Sequence, residues 1–378
     1  MKNSGYSKPL TRRKFVGQAA TGSAFVVLNP LSGIFNGKTE QNSKWPDWAG
    51  KYRVHMIGHA HIDPVWLWPW PEGVSVVYST FRSALDRMNE TPDFKFTASS
   101  AQFYQWIADN DPAMLKEIRK RVNEGRWDIA GGWWIEPDVN IPGGEALVRQ
   151  GLYGQLTFER LLGRRSKVAT NPDSFGHTGT LPQIIRGQGM DNYIFMRPGI
   201  HEKELPADLF WWEGIDGSRV MTYRIPISYN DTGPVRKRIM DSLAQLKDQP
   251  FTSFMDYYGA GDHGGGATKE NIRSINELKS EKDAPHVFYS TTENYFKEVR
   301  NISNLELPVV KDDLQHHAVG CYTAESEIKK GNRQSEAALI TAEKISAIGS
   351  VAWDANYPAK DFTTAWQRVL FLQFHDSL

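Results

Sequence analysis

From Tyr52 onward, the chain alternates short apolar segments with longer segments in which apolar residues recur every three or four positions. Short apolar runs rich in β-branched and aromatic residues are typical of strands, and the wider spacing is typical of amphipathic helices. The pattern predicts strands at Tyr52–Ile57, Phe94–Ala98, Trp127–Ala130, Val168–Thr170, Asn192–Met196, Thr252–Tyr258 and His286–Tyr289. It predicts helices at Ala101–Ala108, Pro112–Gly125 and Gly144–Leu161.

The alternation of strands and helices predicts an α/β fold built from βαβ units with a largely parallel sheet. We expect this sheet to form a closed or nearly closed barrel within residues 46–318. A β-hairpin at Leu209–Tyr223, with its turn at Asp216 and Gly217, is expected to interrupt the pattern as an insertion. In such folds the catalytic groups collect at the carboxyl ends of the strands.

After about Val319 the pattern becomes helical and strand signals end. Helices are predicted at Ser326–Ser350 and Phe362–Phe374. Residues 319–378 are therefore expected to form part of a helical bundle that follows the barrel.

The first 45 residues have the pattern of a signal peptide and linker. Arg12 and Arg13 precede a modestly apolar run from Val16 to about Leu31, which resembles a twin-arginine export signal. The run is too short and too polar to span a membrane. It predicts a periplasmic or extracellular protein, and a basic N-terminal segment without an export role is the alternative.

Composition narrows the classes of partner. The 378 residues include 44 acidic and 44 basic side chains, and this zero formal net charge argues against nucleic acid as a partner. The 13 Trp residues offer flat faces on which sugar rings stack, although most Trp side chains belong to the core of a domain. The single Cys321 permits neither an internal disulfide nor a cysteine metal cluster.

The segment HAHIDPVW, residues 59–66, follows the first predicted strand and looks like half of a metal site. Alternate residues of an extended segment share a face, so we expect His59, His61 and Asp63 to point the same way. Imidazole nitrogen with carboxylate oxygen suits zinc better than calcium or magnesium, which prefer oxygen ligands. Polar residues at a strand end without a metal are the alternative.

Three further segments follow predicted strands and should lie at the same face. Asp173 in NPDSFGH is the best candidate for a third ligand, although Asp near Gly is also usual in a turn. Asp262 is the only carboxylate in GAGDHGGG, which lacks the Lys-Ser/Thr ending of a phosphate-binding loop. The run GGWWIEPDVN, residues 131–140, supplies aromatic, acidic and amide groups suited to hydroxyl recognition.

Together, these segments offer a nitrogen-oxygen metal site and a second carboxylate on a separate loop. A metal-assisted retaining glycosidase needs this combination, because one carboxylate attacks the sugar while another, about 5 Å away, protonates the leaving oxygen. The order of HAHIDPVW, NPDSFGHTGTLPQIIRGQGM, GAGDHGGG, CYTAESEIKKGNR and FLQFHD resembles the zinc-dependent α-mannosidases of glycoside hydrolase family 38. The resemblance runs from about Tyr52 to the last residue.

The resemblance implies a (β/α)7-type barrel followed by the start of a three-helix bundle. It also implies a substrate, an α-mannoside glycan or oligosaccharide, and a Zn²⁺ cofactor. The implied zinc ligands are His61, Asp63, Asp173 and His375. Asp173 is also the implied nucleophile, and coordination to a dication would lower its pKa and keep it ionised.

Four further residues receive roles from the same resemblance. Asp262 is the implied general acid, since it lies away from the metal and can hold its proton. Trp66 would lie beneath the mannose ring, Arg197 beside the nucleophile, and Asp376 would hydrogen-bond a substrate hydroxyl.

The end of the chain departs from the family pattern. Family chains continue into large β-domains after the FHD motif, whereas this sequence stops at Leu378, so we expect C-terminal β-domains to be missing and His375 to lie on a fraying end. Two alternatives to the mannosidase stay open. A metal-dependent carbohydrate deacetylase would use metal-bound water and would not need Asp262. An exported sugar-binding protein, inactive through truncation, would bind without turnover.

Overall fold

The computed structural model describes residues 44–378, and the predicted twin-arginine segment lies outside the described residues. The strands of this part of the chain are β1 Arg53–Gly58, β2 Phe96–Ala98, β3 Trp127–Ile129, β4 Val168–Asn171, β5 Asn192–Phe195, β6 Leu209–Glu213, β7 Arg219–Arg224, β8 Ser253–Tyr258, β9 His286–Tyr289 and β10 Val309–Val310. Its α-helices are α1 Trp70–Glu90, α2 Ala101–Asn110, α3 Pro112–Asn123, α4 Gly144–Leu162, α5 Leu181–Gly187, α6 Val235–Leu246, α7 Lys269–Leu278, α8 Thr292–Arg300, α9 Ser326–Trp353 and α10 Ala359–Leu372. Short 3₁₀ helices lie at Ala49–Lys51 and Val319–Thr323.

The strands form three hydrogen-bonded groups. β1 lies between β8 and β9, β2 pairs with β3, and a five-stranded sheet has the order β10, β6, β7, β5, β4. Every pair is parallel except β6 with β7. Single contacts connect the groups: His59 pairs with Thr97, and the N–H of Gly131 donates to the Val168 carbonyl at 2.8 Å. The mixed α/β fold is confirmed, and closure into a barrel stays a prediction.

The predicted elements of the α/β region lie within two residues of the observed ones, and the two later helices lie within three. The hairpin at Leu209–Tyr223 is confirmed as β6 and β7. Its description as an insertion needs correction, because β7 also pairs in parallel with β5, so that only β6 is added to the parallel arrangement. The two-residue strand β10 was not predicted, since so short a run carries no periodicity.

Local sequence sets where several elements begin and end. Helix α7 starts with a capping box, in which the Thr268 hydroxyl accepts from the Asn271 N–H and the Asn271 side chain accepts from the Thr268 N–H. Helix α4 ends at Gly163, whose φ of 78° is left-handed and unstrained for glycine. Strand β8 is buried along its whole length, as expected for a parallel strand covered on both faces.

The core of the described region is rich in aromatic side chains. Trp127 packs edge-on against Phe81 and Phe96, with ring centroids 5.1 Å apart in both pairs. A smaller cluster includes Trp133 and Trp212, both fully buried. Within residues 44–378, no helix is both long and apolar enough to cross a membrane.

His55 is a buried titratable group in the middle of β1. Its Nδ1 lies 2.7 Å from the Ser290 hydroxyl and its Nε2 lies 3.1 Å from the Ser253 hydroxyl. Burial lowers the pKa of His55 to about 4, although the neighbouring Glu298 carboxylate opposes this shift. The folded protein therefore keeps His55 neutral at pH values where the unfolded chain is protonated at this residue.

We expect the free energy of unfolding to fall as the pH drops from 6.5 to about 4, because only the unfolded state takes up the His55 proton in this interval. The contribution of this one residue is about 3 kcal/mol over the interval. Urea unfolding of the wild type and of His55→Gln at several pH values measures it, and the variant should lose less stability on acidification. An identical pH dependence of the two proteins would contradict the assignment.

Candidate active site and metal centre

The paired strands β1 and β8 bring two of the predicted segments together. The register aligns Gly58 with Tyr258, so the loops that follow both strands leave the sheet at one edge. The N–H of Asp63 donates to the carbonyl of Asp262 at 2.9 Å, which ties the two loops to each other. The side chains of His61 and Asp63 are buried at this edge.

His59 does not share the position of His61 and Asp63, contrary to the expectation from alternation. Its ring lies edge-on to Tyr257 at 5.6 Å, and its Nδ1 lies 3.2 Å from the Thr97 carbonyl oxygen. Strand β1 ends at Gly58, so the alternation of faces does not extend through the motif. Burial lowers the pKa of His59 to about 3, which keeps it neutral.

Four predicted ligand residues meet at one buried point. The candidate ligand atoms of His61, Asp63 and His375 all lie within 4.8 Å of one another. His61 Nε2 is 2.8 Å and His375 Nε2 is 3.9 Å from Asp63 Oδ1. Asp173 lies beside this group, with its Oδ2 3.6 Å from His375 Nε2 and 3.9 Å from His61 Nε2.

The hydrogen bonding of these residues fits a bound cation. His61 Nε2, Asp63 Oδ1 and His375 Nε2 are buried and make no hydrogen bond of good geometry, although the first two atoms lie 2.8 Å apart. A buried polar atom without such a bond costs about 1 to 3 kcal/mol. The other ring nitrogens face Glu136, since His61 Nδ1 lies 3.3 Å from its Oε2 and His375 Nδ1 lies 3.2 Å from its carbonyl oxygen. Each Nε2 is thereby left to coordinate, and the nitrogen-oxygen donor set is one that zinc accepts.

The charges of the site favour a cation and an ionised Asp173. Burial raises the pKa of Asp173, but the close approach of His375 and the charges of His61, His375 and Arg197 outweigh burial and hold the pKa well below its usual range. Burial lowers the pKa of His61, but Asp63 and Glu136 outweigh it and raise the value well above normal. The carboxylates thus stabilise positive charge at the point where the ligand atoms meet.

His375 is buried and its neighbourhood is hydrogen-bonded in the described structure, and the expectation of a fraying end stays a prediction. Its side chain is buried, although it lies three residues beyond the end of α10. Gln373 lies two residues before His375. Its backbone carbonyl accepts a hydrogen bond from the Asp138 N–H at 2.9 Å, and its side-chain amide donates to Glu336 Oε1 at 2.9 Å. Buried Glu336 also accepts from the Gly143 N–H at 3.0 Å, which fixes α9 and the residues after α10 to the start of α4.

Glu136 is the main residue of the site that sequence reasoning missed. The run 131–140 was expected to recognise substrate hydroxyls, yet the Glu136 side chain is buried among the ligand residues. Its Oε1 accepts from the Asp173 N–H at 3.0 Å, while its Oε2 faces His61. The available signal was its position in a segment that follows a predicted strand, as the other predicted site segments do.

Arg197, Asp262 and Tyr229 lie beside the ligand group, and the Tyr229 ring is 4.7 Å from the His61 ring, centroid to centroid. Arg197 makes an ion pair with Asp173, as the resemblance implied. The Asp262 carboxylate is partly buried, and its Oδ1 accepts from the Tyr229 hydroxyl at 2.9 Å and from the Asn230 amide at 3.2 Å. Burial, together with the charges of Asp173 and Asp262, raises the pKa of Tyr229, which therefore stays protonated and donates. Tyr229 was not identified from the sequence.

Trp66 and Asp376 lie at the more accessible part of the site. Trp66 is 50% exposed and packs edge-on against Trp68 at 5.8 Å, while the Trp68 indole donates to the Asp63 carbonyl at 3.0 Å. Asp376 follows His375 and is partly exposed. Burial raises the pKa of Asp376 to about 6, opposed by His375 and reinforced by Asp63.

We expect Glu136→Gln to weaken divalent-metal binding by about 10- to 100-fold, because the variant loses the charge that orients His61 and favours the cation. Titration with zinc against a chromophoric chelator measures the affinity. Glu145→Gln on the exposed surface of α4 is the matched control and should bind like the wild type. Equal affinities of the wild type and Glu136→Gln would remove Glu136 from this supporting role.

Comparison with known proteins places the fold and the motifs in a family. Residues 51–318 match the family model described as "Glycosyl hydrolases family 38 N-terminal domain", and residues 316–378 match the "Alpha mannosidase middle domain". Alpha-mannosidase G of Dictyostelium discoideum is 35% identical over 86% of this chain and 30% of its own length. Human Alpha-mannosidase 2C1 is 33% identical over 93% of this chain and 34% of its own length.

A solved structure shows the same fold. The alpha-mannosidase from Enterococcus faecalis V583 superposes with a TM-score of 0.76 at 21% identity, over 86% of this chain and 39% of that one. The chain thus spans about a third of the length of the curated relatives it matches. Since the N-terminal family model alone covers residues 51–318, well over half of the sequence, the chain belongs to glycoside hydrolase family 38.

Proposed function

We propose that the protein is a zinc-assisted, retaining α-mannosidase that removes terminal α-linked mannose from glycans or oligosaccharides. One observation carries the proposal: Asp173 lies between the buried ligand group and Arg197, while Asp262 stands outside that group on its own loop. Two carboxylates in such different surroundings can serve as nucleophile and acid. The relatives are named alpha-mannosidases, which supports mannose as the sugar.

In the proposed first step, the Asp173 carboxylate attacks the anomeric carbon of the terminal mannose. The bond from that carbon to the glycosidic oxygen breaks, and the oxygen keeps the electron pair and takes the proton of Asp262. Tyr229 and Asn230 both donate to Asp262 Oδ1, which leaves Oδ2 to carry the transferred proton. The product of this step is a mannosyl ester on Asp173.

In the second step, water attacks the same carbon and gives a proton to Asp262. The ester bond breaks, and its electron pair returns to Asp173, whose negative charge is then balanced by Arg197. Two inversions at one carbon retain its configuration. Both carboxylates end in their starting states.

The remaining predicted residues would bind the cofactor and the sugar. His61, Asp63, Asp173 and His375 would hold zinc, which when bound supplies Lewis-acid attraction for ring hydroxyls of the substrate. The half-exposed indole of Trp66 offers a flat face for the sugar ring. Asp376, partly exposed beside the ligands, offers an acceptor for a sugar hydroxyl.

Export and alternative activities are separate questions. We also propose that the protein is exported by its twin-arginine segment, on the basis of Arg12 and Arg13 in the sequence alone. A metal-dependent carbohydrate deacetylase would not need Asp262, so the hydrogen bonds that this carboxylate accepts from Tyr229 and Asn230 support the glycosidase. A sugar-binding protein without activity would bind mannosides without turnover.

We expect the protein to release the aglycone of aryl α-mannosides, and Asp173→Ala to lower kcat by about 10⁴-fold or more while also weakening zinc binding. Aglycone absorbance, metal content and the NMR spectrum of the first-formed mannose provide the measurements. The exposed Asp109→Ala is the control. A first-formed β-anomer would exclude retention, and acetyl release without mannoside turnover would favour the deacetylase.

The role of Asp262 has its own test. Asp262→Asn should keep the metal content of the wild type and keep an acceptor for Tyr229. It should slow aryl mannosides with poor leaving groups by about 10² to 10⁴-fold and affect good leaving groups far less, since these need little protonation. Equal losses for both kinds of substrate would remove Asp262 from the acid role.

A further inference from the structure

The guanidinium group of Arg197 is held from two sides. Its Nε contacts Asp173 Oδ1, and its Nη1 lies 2.7 Å from His317 Nε2. On the far side of the His317 ring, Nδ1 lies 2.5 Å from Glu202 Oε1. The second oxygen of Glu202 accepts from the Gly199 N–H at 2.7 Å, two residues after Arg197. A continuous chain of contacts thus runs from Glu202 to the proposed nucleophile.

The direction of this chain follows from the chemistry of arginine. A guanidinium group has donors only, so His317 Nε2 must accept from Arg197. The ring is then neutral, with its proton on Nδ1, and this N–H donates to Glu202. The negative charge of Glu202 increases the acceptor strength of His317 Nε2, in the way that a carboxylate behind a metal-bound imidazole does. A single tautomer and a single orientation of the His317 ring therefore complete the hydrogen bonds among Arg197, His317 and Glu202.

The backbone of Arg197 is fixed independently. Its carbonyl oxygen lies 2.7 Å from His177 Nε2, and the Tyr193 hydroxyl lies 2.7 Å from Nδ1 of the same ring. Burial lowers the pKa of His177 to about 4, so this ring is neutral and can donate to the carbonyl. With the backbone held by His177, the remaining freedom of Arg197 lies in its long side chain. The end of that side chain contacts Asp173, His317 and Tyr229.

We propose that His317 and Glu202 are positioning residues that hold the Arg197 guanidinium against Asp173. The proposal rests on the proposed function, in which Arg197 balances the charge of the nucleophile. Without the acceptor at His317, the arginine side chain gains rotamers that leave Asp173, and a misplacement of about 1 Å is costly near reacting atoms.

A role limited to stability fits these residues poorly. The side chains of His317 and Glu202 are 19% and 37% exposed, and exposed polar pairs of this kind contribute little to stability. Removal of His317 should therefore leave the fold and the metal ligands intact. The expected loss concerns the rate of the reaction.

The experiment is a double-mutant cycle on the hydrolysis of an aryl α-mannoside. His317→Ala should lower kcat/KM by about 10- to 100-fold, and His317→Gln, which keeps an acceptor for Arg197, should recover most of it. In an Arg197→Ala background, His317→Ala should cause no further loss, because there is no guanidinium left to position. The neighbouring, exposed His316→Ala is the matched control and should behave like the wild type. Zinc content and Tm should be unchanged in the single His317 and His316 variants.

Independent losses from His317→Ala and Arg197→Ala, or no loss from His317→Ala, would overturn the proposal. ¹⁵N NMR of the histidine side chains tests the positioning role without turnover, so it distinguishes failure of this proposal from failure of the proposed α-mannosidase function. The His317 ring should show the Nδ1–H tautomer, and its Nε2 resonance should shift in Arg197→Ala. If the wild type hydrolyses no α-mannoside, the α-mannosidase proposal fails, and an unchanged Nε2 resonance would then overturn the positioning role as well.

Discussion

Imidazole nitrogens and carboxylate oxygens that are buried without hydrogen-bond partners are costly, and here three such atoms face one another. The arrangement persists only if the surrounding structure is rigid or if a cation occupies the point where they meet. The protein meets the first condition through Glu136, which contacts His61, His375 and the Asp173 backbone with different parts of one residue. The donor set of two imidazoles and two carboxylates would meet the second.

The same constraint explains why the helical region is bound so closely to the α/β region. One predicted ligand, His375, comes after α10, whereas the other predicted ligands follow β1 and β4. The position of His375 therefore depends on the interface between the helical region and the α/β region. At this interface the Gln150 side chain donates to the Leu370 carbonyl at 2.9 Å, and the Glu336 carboxylate accepts hydrogen bonds from Gly143 and Gln373. These are buried polar contacts, in which the loss of one partner leaves the other unsatisfied. Substitutions far from the ligands, such as at Glu336, can therefore affect the site.

Site residues that stand in a recognisable short motif could be predicted from the sequence. Site residues whose role arises from contacts with distant parts of the chain could not. His61, Asp63, Asp173 and Asp262 each follow an apolar strand, so both their type and their expected place were visible. Glu136 and His317 contact residues 37 to 239 positions away, and no short sequence pattern predicts such contacts. The expectation for His59 was wrong because the regular strand β1 ends at Gly58, and side chains alternate between two faces only within a regular strand. The strands were found because burial on both faces leaves uniform apolar runs.

One apparent conflict in the proposed mechanism is that Asp173 must serve both as a metal ligand and as the attacking group. A carboxylate has two oxygens, and the structure gives them different neighbours. Oδ2 lies beside the Nε2 atoms of His61 and His375, whereas Oδ1 contacts Arg197. If zinc were held by Oδ2, Oδ1 would remain for attack, and the charge returning to this oxygen when the ester breaks would lie beside the guanidinium group. The orientation of Arg197 then matters as much to the nucleophile as the ligand group does, which is why residues behind the arginine belong to the working site.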